Sequence, residues 1–190
     1  SSTCVIRTGG SLWCWGYNVN GQVGDGTATQ RIYPVQIIAS GVQQVSQDLE
    51  TTCAIVNSAL KCWGYNAYNE LGDGTATNRN VPSAVTNMAS GVTDVSVGYI
   101  HTCAIKDGAA FCWGYNGYGQ LGDGTVTQRA TATQVANSSA GVVFTDDVVN
   151  IDASEYNAEH TCLTKTGGVL YCFGVGGSSG LANGSTANAL

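Results

Sequence analysis

Eight cysteines carry the clearest chemistry in this 190-residue chain. They occur as four pairs whose members lie nine or ten residues apart: Cys4 and Cys14, Cys53 and Cys62, Cys103 and Cys112, Cys162 and Cys172. An even set of cysteines is typical of a disulfide framework, which forms in oxidising compartments. Zinc is the alternative, because His101 and His160 each stand two residues before a cysteine. The other two pairs lack that histidine and no Cys-x-x-Cys occurs, so we expect four disulfides and no metal site.

Two other strings match motifs of enzymes. Residues 176–180 have the Gly-x-Ser-x-Gly pattern of a nucleophile elbow around Ser178, and residues 117–122 match a dinucleotide fingerprint. Both motifs need a helix after the glycines, and no stretch of this sequence has apolar residues at helical spacing. Both strings also fall in a loop that recurs along the chain. We therefore predict a protein that is not an enzyme and binds no cofactor, with a hydrolase acting through Ser178 as the remote alternative.

The cysteine pairs mark an internal repeat of about 50 residues, the kind of period found in stacked-sheet arrays. Cys-Trp-Gly-Tyr-Asn occurs at 14–18, 62–66 and 112–116, and Gly-Asp-Gly-Thr follows each copy. The predicted units are approximately 1–50, 51–100, 101–159 and 160–190, where the third carries an insertion over 136–159 and the fourth is incomplete. The aromatic residues Trp15, Trp63, Trp113 and Phe173 occupy one phase of this repeat, where we expect them to pack between units.

Each cysteine pair fits a β-hairpin. Asp107-Gly108 is a strong two-residue turn signal, and counting outward from it places Cys103 opposite Cys112 in a non-hydrogen-bonded pair. Such pairs bring Cα atoms to about 4.5 Å, which a disulfide tolerates. The same register holds for 53–62, and in the outer pairs the centre falls on Gly9 or Gly167, which suits a three-residue loop. Each disulfide is therefore expected to close its own hairpin.

Short strands, regular turns and this period predict an all-β, β-propeller-type array of about four four-stranded units, with a partial or open propeller as an alternative. Cys-Trp-Gly-Tyr-Asn-x-x-Gly-Gln-Leu-Gly-Asp-Gly-Thr at 112–125, preceded by His101-Thr102-Cys103-Ala104-Ile105, resembles the repeat of the regulator-of-chromosome-condensation family. The resemblance covers nearly the whole chain outside the insertion. It implies blades of four antiparallel strands, usually seven in a ring, and the paired cysteines resemble the secreted branch of the family.

The composition of the chain indicates which classes of partner and which cellular compartment to expect. The net charge is −6 with seven Lys plus Arg, which argues against a phosphate-binding surface for nucleic acid. No apolar run approaches the roughly 20 residues that span a bilayer. We expect an extracellular or cell-surface protein, with the periplasm as a second possibility. Asn137 and Asn183 begin Asn-x-Ser sequons and would accept N-glycans in a eukaryotic source.

The candidate binding surface combines two groups of residues. Tyr68 and Tyr118 lie in the recurring loop, and the insertion adds Phe144, Asp146, Asp147 and Tyr156. Insertions in repeat arrays usually map to loops on one face, often the binding face; a solvated acidic loop without function is the alternative. Asp25, Asp73 and Asp123 are expected to cap turns, and Arg31, Arg79 and Arg129 to bridge neighbouring units.

These observations together predict a non-catalytic, secreted or surface-exposed repeat module for protein binding or self-assembly. The chain starts at the hairpin phase and stops before a strand pair is complete, so we expect either a piece of a larger propeller or a subunit that pairs open sheet edges with copies of itself. A building block of an extracellular filament is one form of that hypothesis. The alternative is an inhibitor or recognition module acting on a secreted enzyme or a glycan.

Overall fold

The structure, a computed structural model, describes residues 1–137, 142–154 and 159–175. Within these ranges the chain forms β-strands and no helix, so none of it forms a helix long and apolar enough to cross a membrane. The strands are β1 (Ser2–Arg7), β2 (Ser11–Gly16), β3 (Arg31–Ile38), β4 (Val42–Gln47), β5 (Thr51–Val56), β6 (Ala59–Gly64), β7 (Arg79–Ala84), β8 (Val92–Val97), β9 (His101–Lys106), β10 (Ala109–Gly114), β11 (Arg129–Gln134), β12 (Ala136–Asn137), β13 (Val142–Val143), β14 (Val148–Ala153), β15 (His160–Lys165) and β16 (Leu170–Gly174).

The strands form four antiparallel sheets of three or four strands and one small hairpin. The sheets have the orders β1-β2-β3, β4-β5-β6-β7, β8-β9-β10-β11 and β14-β15-β16, and the hairpin is β12-β13. Strands β4, β8 and β14 contact one another in succession and form the inner edge of the array. The all-β propeller-type fold is thus confirmed, and the sheets do not close into a ring in the part of the chain that is described.

Each cysteine pair closes a hairpin in the expected register. Cys103 lies opposite Cys112 and Cys53 opposite Cys62, and all four pairs are disulfide-bonded. Asp107 and Gly108 form the turn with φ values of 51° and 79°. Two positive φ angles are what a type I′ turn requires, and its twist matches that of the flanking strands. With all eight thiols bonded, the zinc alternative loses its thiolate ligands.

The boundaries of the sheets are offset by one strand from the boundaries of the sequence repeats. β4 belongs to the first sequence unit, yet it pairs with β5 of the second, with Val45 opposite Ala54. β8 likewise pairs with β9, where Val95 lies opposite Ala104. The second, third and fourth hairpins therefore each receive an inner strand from the preceding unit, which links successive units through backbone hydrogen bonds.

The segment over 136–159 contains a regular strand of the array. β14 pairs with β15 in the same way as β8 pairs with β9, with Ile151 opposite Leu163. Thirteen residues separate β11 from β14, whereas seven separate the corresponding strands β7 and β8. Six residues separate β14 from β15, whereas three separate the corresponding strands β8 and β9. The added residues of the third unit thus lie on both sides of a conventional inner strand.

The core lies between successive sheets. Trp63 is fully buried against Leu12, Cys14 and Val23 of the first sheet and its loop, and Trp113 is fully buried in the next cluster with Leu71. Phe173 takes the corresponding place in the third cluster beside Leu121. In the second, third and fourth units one aromatic residue therefore fills the space between two sheets, where a large buried ring contributes most to stability. Trp15 of the first unit was expected to do the same, but it is half-buried and lies outside these clusters.

Candidate interaction surface

The loop that follows β6 is held rigid by one buried asparagine. The side-chain Nδ2 of Asn66 donates to the carbonyl oxygens of Thr75 and Thr77 at 2.9 and 3.0 Å, while its Oδ1 accepts from the Leu71 amide at 2.9 Å. Asn18 and Asn116 make the same contacts in their own loops. A buried amide with its donors and acceptor satisfied fixes the loop backbone, and Tyr68 and Tyr118 project from these loops.

An ion pair closes the same loop. Asp73 Oδ1 accepts from the Thr75 hydroxyl at 2.7 Å, and Asp73 Oδ2 lies 2.7 Å from Arg79 Nη2. Burial raises the pKa of Asp73, but the hydrogen bonds from Thr75 and Arg79 outweigh it, and the pKa is lowered overall. The arginine was expected to bridge neighbouring units; this is wrong, because in all three copies it pairs with the aspartate six residues earlier in its own loop.

Four tyrosine rings form a continuous row across two sheets. The centroids of Tyr65 and Tyr68 are 6.4 Å apart, those of Tyr68 and Tyr115 are 5.6 Å apart, and those of Tyr115 and Tyr118 are 6.1 Å apart. The last two pairs meet edge to face, the arrangement that aromatic quadrupoles favour. Tyr68 and Tyr118 each keep 40% of their surface exposed.

Two adjoining depressions of about 140 and 230 Å³ lie beside this row and share three lining residues. We call them together the tyrosine groove, which is lined by Leu49, Glu50, Tyr65, Tyr68, Tyr99, Ile100, Tyr115 and Glu159. Leu49, Glu50, Tyr99 and Ile100 come from the links that lead from an inner strand into the next hairpin. The other lining residues before Glu159 follow the second hairpin strand, so the groove forms where both kinds of connection meet at one end of the sheets.

The groove has an acidic, partly desolvated character. Burial raises the pKa of the Tyr65 phenol, and the nearby carboxylates of Glu70 and Glu50 raise it further. Burial likewise raises the pKa of Glu159. Glu70 is fully buried directly behind Tyr68, whose amide donates to Glu70 Oε2 at 2.9 Å. Burial raises the pKa of Glu70 to about 7, because the backbone hydrogen bonds from Glu70 and Tyr68 only partly offset the loss of hydration of the charged form.

The predicted surface residues separate into two regions. Tyr68 lines the groove and Tyr118 contacts its wall, but Asp146 and Asp147 lie by the Gly108 turn, at the far end of strands about 20 Å long. Both aspartates are exposed, and Asp147 pairs with Lys165 at 2.8 Å. Asp146 and Asp147 therefore lie on a different surface from the recurring loop, and of the described insertion residues Glu159 is the one that lines the groove.

The position of Phe144 contradicts its predicted place on the binding surface. It was expected on the surface, but it is fully buried and packs edge-on against Tyr171 at 5.0 Å, because it fills the core above Ile105 and Leu163. Tyr156, Ser178 and Asn183 lie outside the described residues, and Asn137 ends β12. Glycosylation at the two sequons stays a prediction.

Of the eight groove residues, Tyr68 was predicted as a surface residue from the sequence and seven were not: Leu49, Glu50, Tyr65, Tyr99, Ile100, Tyr115 and Glu159. Leu49 and Tyr99 occupy the same phase, two residues before the first strand of a hairpin, and this shared phase is the signal that could have identified them. Across the described ranges, no three His, Cys, Asp or Glu side chains come close enough to hold a metal ion. The groove is thus an aromatic and acidic depression, and the described part of the chain has no such cluster of metal ligands there.

Comparison with protein families gives a direct match. The model of the regulator of chromosome condensation (RCC1) repeat matches residues 9–49, 62–105 and 107–153, and a second RCC1 repeat model matches residues 92–120. No protein with a curated description is significantly similar in sequence.

Solved structures match over nearly the whole chain. Human WBSCR16 is similar with a TM-score of 0.81 at 20% identity, covering 99% of this chain and 49% of its own. Yeast RCC1 (Prp20), solved with Kap60, gives 0.77 at 15% identity, covering 99% and 45%. Prp20p from Saccharomyces cerevisiae, in a study of its binding to Gsp1p and histones, gives 0.75 at 16% identity, covering 99% and 47%. The chain spans about half the length of these structures, and at these identities the likeness is one of fold.

Proposed function

This chain belongs to the RCC1 repeat family, and we propose that it is a non-catalytic protein-interaction module that engages its partner through the tyrosine groove. The observation that carries the proposal is the row of tyrosines beside two adjoining depressions. Tyrosine is enriched at protein interfaces, because a large rigid ring buries apolar area while its hydroxyl keeps a hydrogen-bond partner. Four rings held in contact also lose little side-chain entropy when a partner covers them.

The two yeast structures agree with this class of function. One is of yeast RCC1 bound to Kap60, and the other belongs to a study of the binding of Prp20p to Gsp1p and histones. Those partners are proteins, and they belong to those relatives. For this chain we carry over only the general role, that of a scaffold of repeats that presents loops to another protein.

The proposed compartment is extracellular or at the cell surface. Its support is the four hairpin disulfides, since structural disulfides persist in oxidising environments and are rare in the cytosol. The net charge of −6 fits a protein that does not bind nucleic acid. The partner is accordingly sought among secreted or surface proteins.

Site-specific photocrosslinking tests the role of the groove. A benzophenone amino acid at Tyr68 is compared with one at Tyr33, which is exposed on β3 and does not line the groove. Both variants are added to secretions of the source organism, and the crosslinked proteins are identified by mass spectrometry. The proposal expects proteins that crosslink at Tyr68 and not at Tyr33. Identical products at both positions, or none at Tyr68, would refute it.

Self-assembly is the second candidate, and it is supported by the edge strand β3. Ile32 and Tyr33 are each 75% exposed there, and apolar side chains on a sheet edge favour association between copies. Pro34 limits strand pairing at this edge because it has no N–H to donate. Sedimentation velocity across a hundredfold range of concentration tests the idea. Oligomers that disappear in Ile32→Lys support it, and a concentration-independent monomer contradicts it.

A further inference from the structure

We infer that the tyrosine groove binds a cationic side chain, lysine or arginine, presented by the partner protein. This inference rests on the proposed function and adds the chemistry of the partner. The groove combines tyrosine faces with two carboxylates, Glu50 and Glu159, one in each depression. A cation is the group that both features attract, since aromatic faces and carboxylates are negative.

The two carboxylates have no internal counter-charge. Neither depression is lined by a lysine or an arginine, and the salt bridges of the described residues do not include Glu50 or Glu159. The chain has seven basic side chains in all, so internal neutralisation is scarce. A partly buried carboxylate without a cation is a site where an incoming cation gains more than it would at an open surface.

Six of the seven basic side chains are engaged elsewhere. Each of three arginines pairs with the aspartate of its own loop, and Lys165 pairs with Asp147. Arg7 stacks over Trp13 at 5.7 Å, and Lys106 donates to the Asn87 carbonyl at 2.9 Å. The seventh, Lys61, lies on β6 and does not line the groove. We therefore expect the cation to come from the partner.

The rings are placed to receive it. Tyr68 contributes to both depressions, and its edge-to-face contact with Tyr115 fixes the two rings at an angle of 75°. Both rings line the second depression together with Glu159, so a cation bound there meets aromatic surface and a carboxylate in one place. Cation–π attraction is stronger where the cation is desolvated than at an exposed site.

A second, independent feature lies behind the groove. Glu70 is fully buried, its Oε2 accepts from the Tyr68 amide, and its Oε1 has no hydrogen-bond partner. The corresponding positions of the other loops carry Gln22 and Gln120, which are neutral. Of these three loops, the acid thus stands in the one that contributes to both depressions, where its ionised form adds negative potential to the groove.

Binding of a hexa-arginine peptide, followed by isothermal titration calorimetry, tests the inference. The double variant Glu50→Gln/Glu159→Gln is compared with Asp146→Asn/Asp147→Asn, which removes the same charge at the far end of the strands. We expect the first variant to bind about tenfold more weakly, as loss of two partly desolvated ion pairs implies, and the second to bind like the wild type. Equal weakening in both would mean attraction by net charge alone and would overturn the inference.

The rings are tested separately. Tyr68→Leu keeps apolar area but removes the aromatic face, and we expect it to weaken the peptide about threefold. Tyr33→Leu is the matched control and is expected to leave binding unchanged. Equal effects of the two variants, or no binding of the peptide by the wild type, would overturn the inference. Tight binding of chitotetraose would also overturn it, because it would indicate a glycan site.

The inference and the proposed function can fail separately. If crosslinking at Tyr68 identifies a partner while the peptide fails to bind, the proposed interaction module is supported and the inferred cationic ligand is wrong.

Discussion

The indole Nε1 of Trp113 lies 2.8 Å from the backbone carbonyl oxygen of Glu70 and donates a hydrogen bond to it between neighbouring sheets. The Thr102 hydroxyl donates to the same oxygen at 2.9 Å. Trp63 Nε1 and the Thr52 hydroxyl likewise donate hydrogen bonds to the Gln22 carbonyl oxygen, both at 3.0 Å. In both cases a tryptophan and a threonine of one sheet donate hydrogen bonds to a loop carbonyl of the preceding sheet. At Glu70 these hydrogen bonds also hold the loop that carries Tyr68 of the tyrosine groove.

Trp113→Phe is expected to destabilise the fold by about 1–3 kcal/mol. Phenylalanine keeps most of the buried ring but leaves the Glu70 carbonyl with one donor fewer in a buried place. Urea unfolding followed by circular dichroism measures the loss. Trp15→Phe is the matched control, because Trp15 is half-buried and is expected to change stability by less than about 0.5 kcal/mol. Equal losses in both variants would assign the effect to ring size and not to the hydrogen bond.

Glu70→Gln is expected to stabilise the protein above neutral pH. The pKa of Glu70 is about 7 in the folded state against an ordinary 4.5, so its contribution to stability is fully present below pH 4.5 and is lost as pH rises through 7. At pH 8 the wild type should be about 3 kcal/mol less stable than the variant, and at pH 4 the two should agree.

Unfolding free energies at pH 4, 6 and 8 check this result. Glu50→Gln serves as the control, because Glu50 is only partly buried. This variant should change the dependence of the unfolding free energy on pH less than Glu70→Gln does. A Glu70→Gln variant whose stability follows the wild type from pH 4 to 8 would show that Glu70 is ionised without cost in the folded protein.

His101→Gln is expected to protect the fold against acid. His101 is fully buried, its Nε2 lies 2.9 Å from the Thr161 hydroxyl and its Nδ1 has no partner. Burial lowers the pKa of His101 to about 3, with a smaller effect from His160. Because the pKa is depressed, the stability it contributes is present above pH 6.5 and is lost as pH falls through 6.5 towards 3.

The wild type should thus lose about 3 kcal/mol between pH 7 and pH 4 through this histidine alone, and the variant should not. Urea unfolding at both pH values measures the difference. Glutamine is chosen because its amide can still donate to the Thr161 hydroxyl. Parallel losses in wild type and variant would mean that other groups determine the acid sensitivity.

Removal of one disulfide should lower stability by a limited amount. Cys103→Ala/Cys112→Ala opens a link between residues nine apart, for which the chain-entropy model gives at most about 2.5 kcal/mol. The hairpin turn already holds the strands together, so we expect a loss of about 1–2 kcal/mol with the fold retained. Thermal unfolding of the double variant measures it. Failure of the double variant to fold would show that the hairpin depends on the covalent link.

The hairpins and loops could be predicted from the sequence because their contacts are local. The register of Cys103 with Cys112 follows from a turn placed between them, as predicted. The Asp73–Arg79 pair was not predicted, although it spans only six residues. Local contacts are dictated by turn chemistry and alternation, which are visible in the residues themselves. The repeat, the all-β fold and the disulfides were accessible for this reason.

The tertiary structure alone decided which strand joins which hairpin, which face Phe144 takes and where the groove forms. Glu50 and Tyr99 are 49 residues apart and line one depression, because an inner strand of one unit pairs with the hairpin of the next. Nothing in the local pattern encodes that pairing, since it is selected by the packing of whole sheets around Trp63, Trp113 and Phe173. The residues specified the blades, and only their packing created the surface that we expect to bind.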